Sequence, residues 1–290
     1  MRRLFSSLAL LLLLAMPSRA EEIKLASWNL NWLTTRAPGD PLLPPELPGR
    51  GPEDFARLRL YAQRLAADVL ALEEVDGPEA AARLLDPAEW RFFFPGERDV
   101  QRVGIAVRRR LRAWQNPDLA ALDLAPEARF SLRRGVDVTV QGAGGATLRL
   151  LALHLKAGCR QGAVTGVAEG DRECAILGEQ AGILAEWIAA RQGEGGGFAV
   201  LGDFNRRFQG PRDAFLRRIA KRGTLLRSTE GHSDPCWGGR DFIDHILLGG
   251  AARDWLVPDS LRVLVYAERE PGWKDRLSDH CPVSVRLNLP

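Results

Sequence analysis

Val200-Leu201-Gly202-Asp203-Phe204-Asn205 is an apolar run that ends in an acid and, two residues on, an amide. Well downstream, Ser278-Asp279-His280 places an acid beside an imidazole. Upstream, Trp28-Asn29, Leu72-Glu73-Glu74-Val75 and Leu153-His154-Leu155-Lys156 have the same form, an apolar stretch closing on polar groups. Strands that stop at one sheet edge would present these groups side by side. A hard divalent cation and a proton-transfer group can meet at such an edge.

The start of the chain reads as a secretory signal over residues 1–20. Arg2 and Arg3 are its basic start, Leu8 to Met16 its apolar centre and Ser18-Arg19-Ala20 a small-residue cleavage site. The apolar stretch is too short to span a membrane, which takes about 20 residues. Taking its three arginines from the 40 basic residues leaves as many as the 37 acidic ones. The mature chain is therefore neutral, and overall charge gives no support to a nucleic-acid partner, though a local basic groove would suffice. The expected protein is secreted or periplasmic, with no stable membrane insertion, and monomeric.

Residues 21–290 are expected to form one domain, since no linker, repeat or low-complexity tract divides them. Pro38 to Pro52 reads as a surface loop. Ten β-type runs are visible: 23–28, 69–72, 91–94, 103–107, 136–140, 148–155, 198–201, 242–248, 261–266 and 282–287. Helical spacing marks 53–67, with Phe55, Leu58, Ala62 and Leu65 on one face. It also marks 172–191, with Ile176, Leu177, Ile183, Leu184, Trp187 and Ile188 aligned. Many strands and few helices suit two packed sheets with helices outside. Four cysteines in an exported chain suggest two disulfides, and Cys159–Cys174 with Cys236–Cys281 is the favoured pairing. A zinc site is the rival reading, but no Cys-x-x-Cys spacing exists.

Taken in order, the five polar segments resemble the endonuclease/exonuclease/phosphatase superfamily, the DNase I-like metal-dependent phosphoesterases. The resemblance implies an α+β fold, a DNase I-like four-layer sandwich of two packed mixed β-sheets flanked by helices. It implies that Asn29, Glu74 and Asp279 serve a Mg²⁺ (or Mn²⁺) ion. His154 would bond a phosphate oxygen, Asp203 would position or deprotonate the nucleophile, and Asn205 would support the phosphate. Asp244 and His280 would form the acid–base pair, with either His280 or Asp203 as the base. Glu73 stands where that family usually has Gln, and reads as an ordinary strand-end acid. Nucleases of the pancreatic type carry an arginine where this chain has Asp76, which puts one substrate contact in doubt.

Several neighbours read as structural. His245 falls on the opposite strand face from Asp244, Asp241 is a poorer-register rival, and Lys156 reads as surface. Arg133, Arg134, Arg206 and Arg207 could line one groove for a polyanion. A nuclease is the favoured function. The same centre acting on a phospholipid, sphingolipid or phosphomonoester is the alternative, because loops around a site choose its substrate. A non-catalytic binding module is the second alternative, and the complete set of polar residues argues against it.

Overall fold

Alternation of side chains along the strands builds two facing apolar surfaces. A computed structural model describes residues 20–128, 132–164, 172–239, 241–270 and 272–290. The expected signal lies, except for Ala20, outside the described residues. The first half of the chain runs β1 (Glu21–Leu33), α1 (Pro52–Leu65), β2 (Val69–Val75), α2 (Gly77–Ala81), β3 (Trp90–Phe93), β4 (Arg102–Arg108), β5 (Arg112–Gln115), β6 (Val136–Gln141) and β7 (Thr147–His154). The second runs α3 (Arg172–Glu194), β8 (Gly197–Asp203), α4 (Ala214–Ile219), β9 (Leu225–Arg227), β10 (Asp244–Gly250), α5 (Ala252–Trp255), β11 (Arg262–Val263), α6 (Trp273–Arg276) and β12 (Val283–Leu289).

Two six-stranded sheets result, ordered β11-β12-β1-β2-β4-β3 and β5-β6-β7-β8-β10-β9. Both are mixed, with β1 parallel to β2 in one and β7 parallel to β8 in the other. Their inner faces meet through Ile23, Leu25, Val69 and Ala71 from one sheet and Leu150, Ala152, Ala199, Leu201, Ile246 and Leu248 from the other. The outer face of the first sheet packs Leu70 and Leu72 against α1. The second packs Leu151, Leu153 and Val200 against α3. This is the expected four-layer sandwich.

Helix α1 starts where Pro52 needs no amide partner and where the Asp54 carboxylate accepts the Gly51 amide at 2.8 Å. All four residues assigned to its inner face are buried. In α3, Leu177, Leu184, Trp187 and Ile188 are buried, whereas Ile176 and Ile183 are only half-buried. Gly178 explains part of the difference. A Cβ there would stand 2.1 Å from the Val164 carbonyl, so the helix presses its glycine side onto that loop.

Three sequence expectations need correction. β5 and β9 are short edge pairings without a clear apolar pattern, and they were not legible. The run 261–266 pairs only at Arg262 and Val263. The Pro38–Pro52 stretch is not wholly surface, because Leu43 is buried and the Arg50 guanidinium is drawn inside. Both disulfides form as expected, with Cα atoms 4.9 Å apart at Cys159–Cys174 and 5.7 Å at Cys236–Cys281. No helix among the described residues is long and apolar enough to cross a membrane.

His245 points away from the intersheet core, as strand alternation requires. Its Nδ1 lies 2.8 Å from the Thr229 hydroxyl, and its Nε2 lies 2.9 Å from the Arg206 carbonyl. The ring stacks on Phe208 at 4.0 Å. Burial pulls this imidazole down to about 3 from its ordinary 6.5, so the folded chain keeps it neutral. The unfolded chain takes up the proton first, so this residue's contribution to stability drains away as pH falls from 6.5 toward 3. His245→Gln should therefore lose less stability than the wild type between about pH 7 and about pH 5 in denaturant titrations. Equal losses would remove His245 from the acid response. Separately, Cys159→Ser with Cys174→Ser opens a closure of 15 residues. Urea unfolding should show a loss of about 3 kcal/mol, and an unchanged midpoint would contradict a stabilising role.

Candidate active site

The inner rows of both sheets turn from apolar to polar at one end of the sandwich. On β7 the row Leu148, Leu150, Ala152 continues to His154; on β8, Ala199 and Leu201 continue to Asp203; on β10, Leu248 and Ile246 lead back to Asp244. Register sets the three polar groups in one line, since His154 and Asp244 both pair with Asp203. In the facing sheet, Ile23 and Leu25 lead to Ser27 and Asn29, while Val69 and Ala71 lead to Glu73, and Asn29 pairs with Glu73.

Glu74 reaches the site by a different route. Strict alternation would aim it outward, but the β2 register breaks between Leu72 and Val75, and Glu74 adopts φ 59°. A non-glycine residue in that region is strained, and such strain is held by surrounding contacts. Here Gln101 Nε2 donates to Glu74 Oε2, and Asn29 Nδ2 donates to Oε1 at 3.1 Å. The Asn29 amide also donates to Asp203 Oδ2 at 3.1 Å, which ties the two sheets together. Its Oδ1 accepts the Asn31 amide at 2.9 Å. Asn29 thus orients two carboxylates from opposite sheets through its amide nitrogen.

Asp203 is the most connected group. Its Oδ1 accepts the Asn205 backbone amide at 2.7 Å, and its Oδ2 lies 3.7 Å from both His154 Nε2 and His280 Nε2. Burial raises its carboxyl to about 6, the His280 charge working against the rise and the Asp244 charge with it. His280 Nδ1 lies 2.7 Å from Asp244 Oδ2, so this carboxylate fixes the ring and its tautomer. Burial pulls the His280 imidazole down, but the charges of Asp244 and Asp203 and the Asp244 hydrogen bond outweigh it and hold the ring well above its ordinary value. Asp244 is itself raised by burial against the opposing pull of His280. His154 is brought to about 4, by burial first, and is neutral with Nδ1 buried and unpartnered. Its Nε2 faces the site, 3.7 Å from Asp203 Oδ2 and 3.8 Å from Glu74 Oε1, and can donate a hydrogen bond to an incoming oxygen.

Two anchors hold the loops that carry these groups. Arg50 donates to the carbonyls of Leu30, Asn31 and Trp32 after the polar part of β1, and to those of Arg276 and Leu277 just before Ser278. The Ser278 hydroxyl then donates to the Asn29 carbonyl at 2.7 Å. The Cys236–Cys281 bridge fixes the residue after His280. Sequence reading missed Arg50 and Gln101, because neither belongs to a motif and both reach the site through folded loops.

The donor set fits a hard divalent cation. Glu73, Asp203 and Asp244 are buried carboxylates whose pKa values burial raises, with the charge of a neighbouring acid adding to each rise. Glu74 adds a further oxygen pair on the strained bulge, and a divalent cation would relieve this crowding of negative charge. Asp203, Asp244 and His280 offer ligand atoms within 4.8 Å of one another. The short His280–Asp244 bond gives that cluster a proton-handling geometry instead. Asp279 stands on the His280 side, 45% exposed, with Oδ1 3.9 Å from His280 Nε2.

A sequence profile of the Endonuclease/Exonuclease/phosphatase family matches residues 26–280. The chain belongs to this family. It is a metal-dependent hydrolase of phosphate esters. Among curated protein sequences, none matches. Several solved structures share the fold. D. rerio TDP2 complexed with a single-strand DNA product is 20% identical, with 92% of this chain and 99% of that one covered at a TM-score of 0.58. The human Nocturnin catalytic domain with bound sulfate is 17% identical, covering 91% and 93% at 0.58. The 3′ phosphatase NExo from Neisseria, bound to a product DNA hairpin, is 18% identical, covering 91% and 99% at 0.56.

Some expected residues sit differently from their sequence reading. Glu73 is no strand-end surface acid; it is fully buried, accepts the Ser27 hydroxyl at 3.0 Å and leaves Oε2 unpartnered. Asn205 does not continue the strand, since it turns at φ 50° and donates to the Leu155 carbonyl at 3.1 Å. The four arginines form no common groove. Arg206 is fully buried on Asp213, Arg133 bonds Gln101, and Arg134 lies near Glu97. Asp76 is held by Arg36 and Arg102, so its charge is already paired. Asp241 faces solvent, which leaves Asp244 without a rival.

Glu74→Gln should weaken cation binding by removing a formal charge from the bulge. Calorimetric titration of the divalent ion should show a weaker Kd, and activity should need more metal for half-maximum. An unchanged titration with lowered kcat would take Glu74 out of the metal site.

Proposed function

We propose that the chain is an exported, Mg²⁺- or Mn²⁺-dependent phosphodiesterase acting on nucleic acid. The observation that carries the reading is the line His154–Asp203–Asp244, with His280 locked onto Asp244 and facing Asp203. Glu74 and Asp279, with Asn29 beside them, would hold the metal, and the Asn29 amide fixes Glu74 and Asp203 relative to each other by bonding both. When bound, the ion supplies charge neutralisation at the scissile phosphate. Asp203 Oδ2, a carboxylate at neutral pH with its pKa raised to about 6, takes a proton from water, while His280, held protonated by Asp244 through Nδ1, faces the same point with Nε2 and donates there. His154 donates to a phosphoryl oxygen as negative charge grows there. Asn205 holds Asp203 in place through its backbone amide and so supports the phosphate indirectly.

Nucleic acid is favoured as substrate on two grounds. Two structural relatives hold DNA products. Asp76, whose charge would otherwise repel a polyanion beside the metal acid, is neutralised by Arg36 and Arg102. Export, to the periplasm or beyond, is supported by two disulfides, which persist in oxidising compartments. A monomer is expected.

His280→Ala and Asp203→Asn should each lower kcat by at least ~100-fold, the low end for losing a general acid–base group. Circular dichroism should show both folded. Near-normal turnover in either variant removes that residue from the proton transfer. For substrate, plasmid DNA and single-stranded RNA should be cleaved in a metal-dependent way, and the rate should fall steeply with salt. Turnover confined to sphingomyelin, phosphatidylinositol or phosphomonoesters would overturn the nucleic-acid reading and leave the metal centre standing. No turnover of any phosphate ester, bis-p-nitrophenyl phosphate included, would leave a binding module.

A further inference from the structure

A cavity of about 110 Å³ opens from His280, and its far wall is formed by residues to which the proposed chemistry gives no role. Three cations line it from three separate segments: Arg160 from the loop after β7, Arg207 from the loop after β8, and Lys274 from α6. Trp237 supplies an apolar wall, its indole nitrogen donating to the Ser278 carbonyl at 2.9 Å. The pocket shares His280 and Asp244 with the active site, so a group bound in it sits next to the reacting phosphate.

The cationic wall is built, and among the described residues its charge is largely unspent. Arg206, fully buried, donates to the carbonyls of Cys159 and Gly162 and pairs with Asp213 at 2.8 Å, which fixes the loop around Arg160 from within. The Arg207 amide donates to the Arg160 carbonyl at 2.8 Å, and the Cys159–Cys174 bridge holds the preceding residue. Among the described residues, no carboxylate lies within ion-pair distance of Arg160 or Lys274. Arg207 has only a 3.9 Å approach to Asp241, an acid whose side chain is 74% exposed, and its own Nε is buried without a hydrogen-bond partner.

Acids also line the cavity, but each is engaged elsewhere or faces water. Asp244 is bound to His280, Asp234 accepts the Cys236 amide at 2.9 Å, Asp241 is solvated, and Asp279 is assigned to the metal. Preorganised guanidinium and ammonium groups with no acid of their own are the usual receptors for phosphate oxygens. A lone headgroup diester or a monoester brings one phosphate, and that phosphate belongs at the catalytic row. A polynucleotide brings the next one along its backbone.

We infer that Arg160, Arg207 and Lys274 form a subsite for the backbone phosphate adjacent to the one being hydrolysed. The inference rests on the nucleic-acid reading above and extends it to a longer substrate footprint. It also gives the Cys159–Cys174 bridge a part in substrate binding, because that bridge holds the loop carrying Arg160.

The test uses the mature chain with Arg160→Gln, Lys274→Gln and the double variant. Anisotropy of a labelled single-stranded oligonucleotide, measured in EDTA across a salt series, reads binding without turnover. Each substitution should weaken Kd about five-fold at fixed low salt and reduce the slope of log Kd against log salt by about 0.7. With metal present, kcat/KM on the oligonucleotide should fall at least about five-fold more than on bis-p-nitrophenyl phosphate, which has one phosphate. Wild-type Kd and slope in the double variant would overturn the subsite. So would an equal fall on both substrates, which would mark a structural role at the site. If the wild type neither binds nor cleaves the oligonucleotide yet turns over bis-p-nitrophenyl phosphate, the nucleic-acid reading itself fails, and the subsite with it.

Discussion

The carboxylate of Asp203 is where the two sheets converge. One of its oxygens takes the Asn29 amide from the opposite sheet and faces the imidazoles of His154 and His280; the other takes the Asn205 amide that ends its own strand. Every other group in the site is placed relative to it by strand register. His154 and Asp244 flank it because β7 and β10 pair with β8 at that residue. A slip of one residue in either pairing would turn the imidazole or carboxylate to the opposite face. The apolar rows behind Asp203 hold that register, so the core sets the precision of the chemistry.

Concentrating acids in this place has an electrostatic cost. Glu73, Asp203 and Asp244 are all pushed up by burial, and each feels the negative charge of a neighbouring carboxylate. Single-sign charge in a dry site is tolerated only with partners. The chain supplies some: His280 between two of the acids, Ser27 on Glu73, and Gln101 with Asn29 on Glu74. What remains is the same surplus that recruits a divalent cation. The feature that makes the apo site unfavourable is thus the one that makes it bind metal.

The loops are held by equally specific means. Arg50 is a buried guanidinium whose donors go to backbone carbonyls on either side of the site, and burial brings it down to about 10. It joins the turn after Asn29 to the segment before His280, which are far apart in the chain. The two disulfides act on the other rim, one beside Arg160 and one beside His280. Rigid strands and pinned loops together give a site that needs little reorganisation when charge develops in it.

Much of this was written in the residues themselves. Many short strand runs with few helices suited two packed sheets, the family resemblance implied the four-layer sandwich, and helical spacing marked α1 and α3. Polar groups closing apolar strands, taken in the order that resembles the family, marked Asn29, Glu74, His154, Asp203, Asp244 and His280. Those signals are local, because side-chain alternation and strand ends are properties of a few successive residues. What lay beyond them depends on pairs remote in sequence. Glu73 looked like a solvated strand end, yet its register with Asn29 carries it inside, while the bulge at Glu74 swings the next acid onto Asn29 and Gln101. Asn205 looked extended but turns back onto Leu155. Arg206 looked like a surface cation and became a buried brace, whereas Arg50, in a loop without a motif, became an anchor. No local pattern encodes these, since a charge can be buried only where the folded chain brings it a partner, and that partner is chosen by tertiary structure alone.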